Sequence, residues 1–95
     1  MDEGGRQLPD FEYDVRKSRM NKLKHGIDFV EAQALWLDEA LLEGRGRGAG
    51  EARFMMIGRI DEKHWSAVIT YRGASVRLIS VRRARAKEVA EYECQ

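Results

Sequence analysis

Residues 53–83 read RFMMIGRIDEKHWSAVITYRGASVRLISVRR. Three runs stand out in this stretch: RFMMIGRI (53–60), HWSAVITYR (64–72) and SVRLISVR (75–82), separated by DEK near residue 62 and by Gly73-Ala74. Runs of this length, rich in β-branched and aromatic residues and bounded by short breaks, predict strands. The breaks are too short for a crossover connection, so the three strands form an antiparallel meander. Both alternating sets of the middle run are largely apolar, which predicts a central position in a sheet with helices over one face.

Working outward, VRKSRMNKLKH (15–25) predicts a helix, with the Asp14 carboxylate as its N-cap and Gly26 as its stop. By 3.6-residue periodicity Met20, Leu23 and Ile27 form the expected packed stripe, and Lys17, Asn21 and Lys24 a neighbouring stripe open to contacts. Asp28 followed by Glu31 has the spacing of a capping box and opens a second expected helix, FVEAQALWLDE (29–39), with Phe29, Ala32, Leu35 and Trp36 inward. DFEY (10–13) alternates like an edge strand. RARAKEVAEYE (83–93) predicts a closing helix with Ala86, Val89 and Tyr92 inward. Four glycines between Gly44 and Gly50 mark a flexible loop, with a further strand possible beside it. The order predicts an α+β domain over residues 10–95, with two N-terminal helices and a C-terminal helix packed on an antiparallel sheet. A polar, disordered tail is expected over residues 1–9.

The chain has 95 residues, enough for one modest core that buries roughly 60–65% of the unfolded surface. Its 43% apolar and 35% charged residues are those of a globular protein. No apolar run is long enough to span a membrane and no signal-peptide pattern is present, so a cytoplasmic, membrane-free location is expected. Cys94 is the single cysteine, which excludes an internal disulfide and a cysteine zinc cluster. No HExxH, P-loop, GxGxxG or GxSxG pattern occurs, so no metal or cofactor is expected. The formal charge of +1 hides an uneven division. Charges from Arg16 to Lys24 are all basic, those from Asp28 to Glu43 all acidic, and those from Arg72 to Lys87 all basic again. Such a chain can offer a basic face to a polyanion, or merely carry solvated helix faces.

Several pieces in order resemble the BrnT family of ribonuclease toxins. They are Phe11 and Asp14 of FEYD, Lys17, Asn21, KHGIDFVEA (24–32), GEARF (50–54), Gly58, Thr70 and Arg72 of TYR, Arg77, ISVRRA (79–84), Glu88 and Tyr92. Tyr13 departs from the Trp of many members, and residues 39–49 depart from an expected Asp- and Pro-containing stretch. The resemblance implies a RelE-like fold and a metal-independent endoribonuclease that cleaves RNA by 2′-hydroxyl attack and inhibits translation. It also implies a BrnA-type ribbon–helix–helix antitoxin as partner, with operator DNA bound through that antitoxin. Two alternatives stay open: a non-catalytic module that binds nucleic acid or a partner with the same arginines, and an inactive member of the family.

Cleavage of that kind must move two protons and stabilise charge on phosphoryl oxygens, a task suited to the planar guanidinium fork. Arg72 and Arg82, at the ends of successive strands, are expected to converge with Arg53 as catalytic groups. Arg83, on the opposite side of its strand from Arg82, is expected to contact substrate. From the residues alone these arginines can equally pair with Glu88, Glu91 or Glu93. His25 is the acid–base candidate, because histidine is the residue type whose charge changes nearest neutral pH, although a cation there also suits a helix C-terminus. Glu51 is expected as base or as a guide for an arginine, Lys24 as a phosphate contact, and Tyr92 as a substrate contact or a core residue. Trp36 and Trp65 are expected in the core.

Overall fold

The structure, a computed structural model, describes residues 8–46 and 50–95. The expected tail therefore lies outside the described residues except for Leu8 and Pro9, as do residues 47–49 of the glycine loop. The three strands form as expected: β3 (Phe54–Ile60), β4 (Lys63–Arg72) and β5 (Ser75–Arg83). Two-residue turns join them, with Asp61 and Gly73 at positive φ. The edges are β1 (Asp10–Glu12), parallel to β5, and β2 (Leu42–Arg45), antiparallel to β3, giving the sheet order β1-β5-β4-β3-β2.

Register fixes what each face carries. Ala67 pairs with Met56 and Val81, and Ile69 with Phe54 and Leu78, so these side chains share one face and enter the core. Thr70 pairs with Arg77 and Ser66 with Arg82 on the other face. Leu78 and Val81 are three residues apart yet both buried, because a bulge opposite Val68 and Ile69 inserts Ile79 into β5. The same bulge puts Arg77 and Arg82 on one face, which strict alternation forbids.

Helix α1 (Val15–His25) has the expected bounds: Asp14 Oδ1 accepts from the amides of Arg16 and Lys17, and Gly26 ends it at φ 82°. Its orientation corrects the expected stripe, of which Ile27 alone, just past the helix, is buried. Met20 and Leu23 are 62% and 82% exposed, whereas Ser18 and Asn21 are buried. The reason is hydrogen bonding. Asn21 Nδ2 donates to Val81 O and Ile27 O at 2.8 Å, and its Oδ1 accepts from Val81 N at 3.1 Å, so the side chain pairs with the free edge of β5 as a strand would. Ser18 Oγ accepts from Phe29 N at 2.9 Å. The buried face of α1 is thus polar, and Asn21 is not open to contacts.

The capping box forms, with Asp28 Oδ1 accepting from Val30 and Glu31 amides and Glu31 Oε1 from Asp28 N. The helix it opens is a 3₁₀ helix over Glu31–Leu37 rather than the longer α-helix expected. Phe29, Ala32 and Leu35 are spaced by three, and three residues per turn puts all of them on one line, each 0% exposed. Phe11 meets Trp36 edge-on at 5.1 Å and Tyr13 meets Phe29 at 5.8 Å, so tyrosine serves as the aromatic anchor at position 13. Leu35 and Leu41 crowd the position where Gly58 lacks a side chain.

Helix α2 (Ala86–Glu93) does not join the other helices on the core face. Its Glu88 and Glu93 bond Ser66 and His64, which face away from Trp65 and Ala67. Ala86 is exposed, Val89 half-buried and Tyr92 buried. Thus α2 covers one end of the second face and leaves the other end open.

Candidate nucleic-acid interface

The open end of that face is where β4 turns into β5. Arg72 Nε donates to Glu51 Oε2 at 3.0 Å, and both side chains are about half exposed. Arg53 is exposed at the foot of β3, in the segment that Thr70 Oγ1 ties down by donating to Ala52 O at 2.7 Å. Arg77, partnered with Thr70 across the ladder, makes only a long contact of 3.5 Å to Glu12. This end therefore gathers Glu51, Arg53, Arg72 and Arg77 in reach of water, with guanidinium hydrogens left over for an anion.

Arg82 lies elsewhere. It pairs with Ser66, six residues before Arg72 on β4, or about 20 Å away at ~3.3 Å per residue. The expected convergence of Arg72 and Arg82 fails because antiparallel neighbours end at opposite edges of a sheet. The Arg82 fork is also occupied: Nη1 and Nη2 donate to the two carboxylate oxygens of Glu88 at 2.8 Å. Glu88 Oε1 accepts further bonds from Ser66 Oγ and Arg85 N, each at 2.8 Å. The Arg82 fork, followed by these two donors, holds the Glu88 carboxyl down at about 2 against the pull of burial, so it stays ionised. Arg82 and Glu88 together clamp the start of α2 to the sheet.

The remaining candidates also sit at the Arg82 end or are engaged. Arg83 lies with its guanidinium carbon 5.5 Å from the ring centroid of buried Trp65, on the core side of the sheet. Lys24 and His25 precede Gly26, which shares a surface cleft with Trp65 and Lys63, so they stand beside this end and away from Glu51. Tyr92 Oη donates to Asp38 Oδ2 at 2.7 Å, and burial with that bond pushes its hydroxyl up to about 12. Asp38 accepts in addition from Ala40 and Arg59 amides, and these bonds outweigh burial to lower its carboxyl. Asp38 continues the 29, 32, 35 spacing, the signal by which the sequence announces it; Glu88 was among the partners the sequence offered the arginines, and Arg82 takes it, whereas Asn21 carries no local signal of its role. Among the described residues no helix is long and apolar enough to cross a membrane, and no three His, Cys, Asp or Glu side chains group as metal ligands.

Residues 13–88 match the family model described as the ribonuclease toxin BrnT of type II toxin–antitoxin systems. The chain belongs to the BrnT family. It is accordingly a ribonuclease toxin of a type II module, a class that implies an RNA substrate and a cognate antitoxin. The sheet with its three helices is consistent with the RelE-like BrnT fold. The match spans both ends of the sheet, Glu51 to Arg72 and Arg82 to Glu88. A search of curated proteins finds no match.

Proposed function

We propose that this BrnT chain cleaves RNA at the open end of the sheet, where Arg72 and Arg53 hold the scissile phosphodiester and Glu51 serves as base. The observation that carries this is the contrast between the two ends. The Arg72 fork meets Glu51 through Nε alone and keeps donors for phosphate, whereas Arg82 spends its fork on Glu88. Glu51 takes the proton of the ribose 2′-hydroxyl, the O2′–P bond forms and the P–O5′ bond breaks. Charge gathering on the phosphoryl oxygens falls between the guanidinium groups, and the leaving oxygen takes a proton from water or a neighbouring acid. No metal enters this sequence.

In this arrangement Arg82 fixes the sheet–helix corner, while Lys24, His25 and Arg83 are phosphate contacts for RNA that continues towards the other end. Tyr92 holds α2 in place through Asp38. The family resemblance supports the remaining features: action in the cytoplasm, arrest of translation, and neutralisation by a BrnA-type ribbon–helix–helix antitoxin that carries the complex to operator DNA. The test is incubation of partner-free protein with RNA in EDTA. Cleavage is expected, with Arg72→Ala and Arg53→Ala each lowering the rate by at least about 100-fold, the size seen when one transition-state donor is removed. Salt-sensitive RNA binding without cleavage instead marks a non-catalytic module.

A further inference from the structure

Helix α1 is docked with its polar side inward, and that leaves apolar side chains outside with no cover. Leu23 is 82% exposed, Met20 62%, Val30 59% and Val15 56%. Isolated exposed apolar residues are ordinary, but Val15, Leu23 and Val30 come together. Tyr13, Val15, Leu23 and Val30 line one groove of about 480 Å³ between α1 and the turn that follows it, with Arg19 and Lys22 on its rim. An apolar floor with a charged rim is the anatomy of a protein-binding surface.

The charge identifies the kind of occupant. From Val15 to His25 the helix carries Arg16, Lys17, Arg19, Lys22 and Lys24 and no acidic residue. Lys22 is paired with Glu31 at 2.8 Å, and the Asp28 carboxylate, which accepts the amides of Val30 and Glu31, keeps its negative charge in the groove, so the excess positive charge on this side comes from exposed Arg16 and Arg19 of the helix. The groove is therefore apolar, with cations along its α1 side and the Asp28 carboxylate on the side of the turn. RNA suits the cations but gains little from the aliphatic lining.

We infer that this groove is the anchoring site for the cognate antitoxin, and that it takes an amphipathic helical segment whose apolar side chains enter between Val15, Leu23 and Val30 while flanking Asp or Glu residues meet Arg16 and Arg19. Helix-in-groove binding of this kind uses apolar anchors one helical turn apart. The inference rests on the type II toxin assignment, since that is what supplies an antitoxin. Arg72 and Glu51 lie on the far side of the sheet from the core that α1 flanks. The anchor is accordingly separate from the proposed cleavage site, and the antitoxin keeps its grip here while another part of it reaches or blocks the arginines.

The experiment is a calorimetric titration of partner-free toxin with its full-length cognate antitoxin, beside an RNA cleavage assay on the same toxin samples. Leu23→Glu alone and Leu23→Glu with Val30→Glu alter exposed side chains, and circular dichroism verifies folding. The double variant is expected to raise the dissociation constant at least about 30-fold, the loss typical of a central interface residue, with cleavage unchanged. Arg19→Glu is expected to weaken binding less, and only at low salt. Antitoxin affinity within about 3-fold of the parent in the double variant overturns the inference. So does loss of self-association with antitoxin binding retained, which assigns the groove to a second copy, and so does cleavage that falls together with affinity, which assigns it to RNA. If the parent protein fails to cleave RNA, the nuclease proposal falls while the titration still decides the anchor.

Discussion

Replacing Glu88 by Gln removes a charge that four donors converge on: Ser66 Oγ, Arg85 N and both terminal nitrogens of Arg82. The Glu88 carboxyl sits at about 2 against an ordinary 4.5, and at ~1.4 kcal/mol per pH unit that gap corresponds to roughly 3 kcal/mol of preference for the ionised form in the folded state. Water reaches the pair, whose side chains are 23% and 14% exposed, so about 2 kcal/mol is the better figure. For a chain of this size the melting temperature should fall by roughly 10–15 °C near neutral pH. Because the folded-state value is depressed, the contribution is complete above the unfolded value and fades as pH falls towards about 2. Urea denaturation of the two proteins at about pH 7 and about pH 3 measures it. The difference should shrink by more than half at the lower pH. Equal stability near neutral pH, or a difference that does not change with pH, refutes the clamp.

Asn21→Ala leaves the amide and carbonyl of Val81 and the carbonyl of Ile27 without their partner in a buried place; a loss of roughly 2–4 kcal/mol in denaturant titration is expected, against near neutrality for Leu23→Ala. Gly58→Ala places a methyl 2.8 Å from Leu41 Cδ1 and 3.1 Å from Leu35 Cδ2, and should cost about 1–3 kcal/mol in a thermal melt.

The three strands of the meander, the caps at Asp14 and Gly26, and the Asp28–Glu31 box were legible because each is written within a few residues of itself. The orientation of α1 was not. Its stripe of Met20 and Leu23 obeys helical periodicity, but Asn21 is held by Val81, 60 residues away in sequence, and a partner that distant leaves no local pattern. Tertiary hydrogen bonding overrode amphipathicity there. The bulge at Ile79 was likewise hidden. In the candidate site the arginines were legible as residue types, while their grouping depended on strand direction. Arg72 belongs with Glu51 and Arg53, and Arg82 with Glu88, because β4 and β5 run in opposite senses.

The chemistry of the RNA ends produced by partner-free protein in EDTA tests the central claim most directly. Attack by the ribose 2′-hydroxyl predicts a 2′,3′-cyclic phosphate on one fragment and a 5′-hydroxyl on the other, with both lost in Arg72→Ala. Fragments bearing 3′-hydroxyl and 5′-phosphate ends, or cleavage that appears only when a divalent metal is restored, would contradict it.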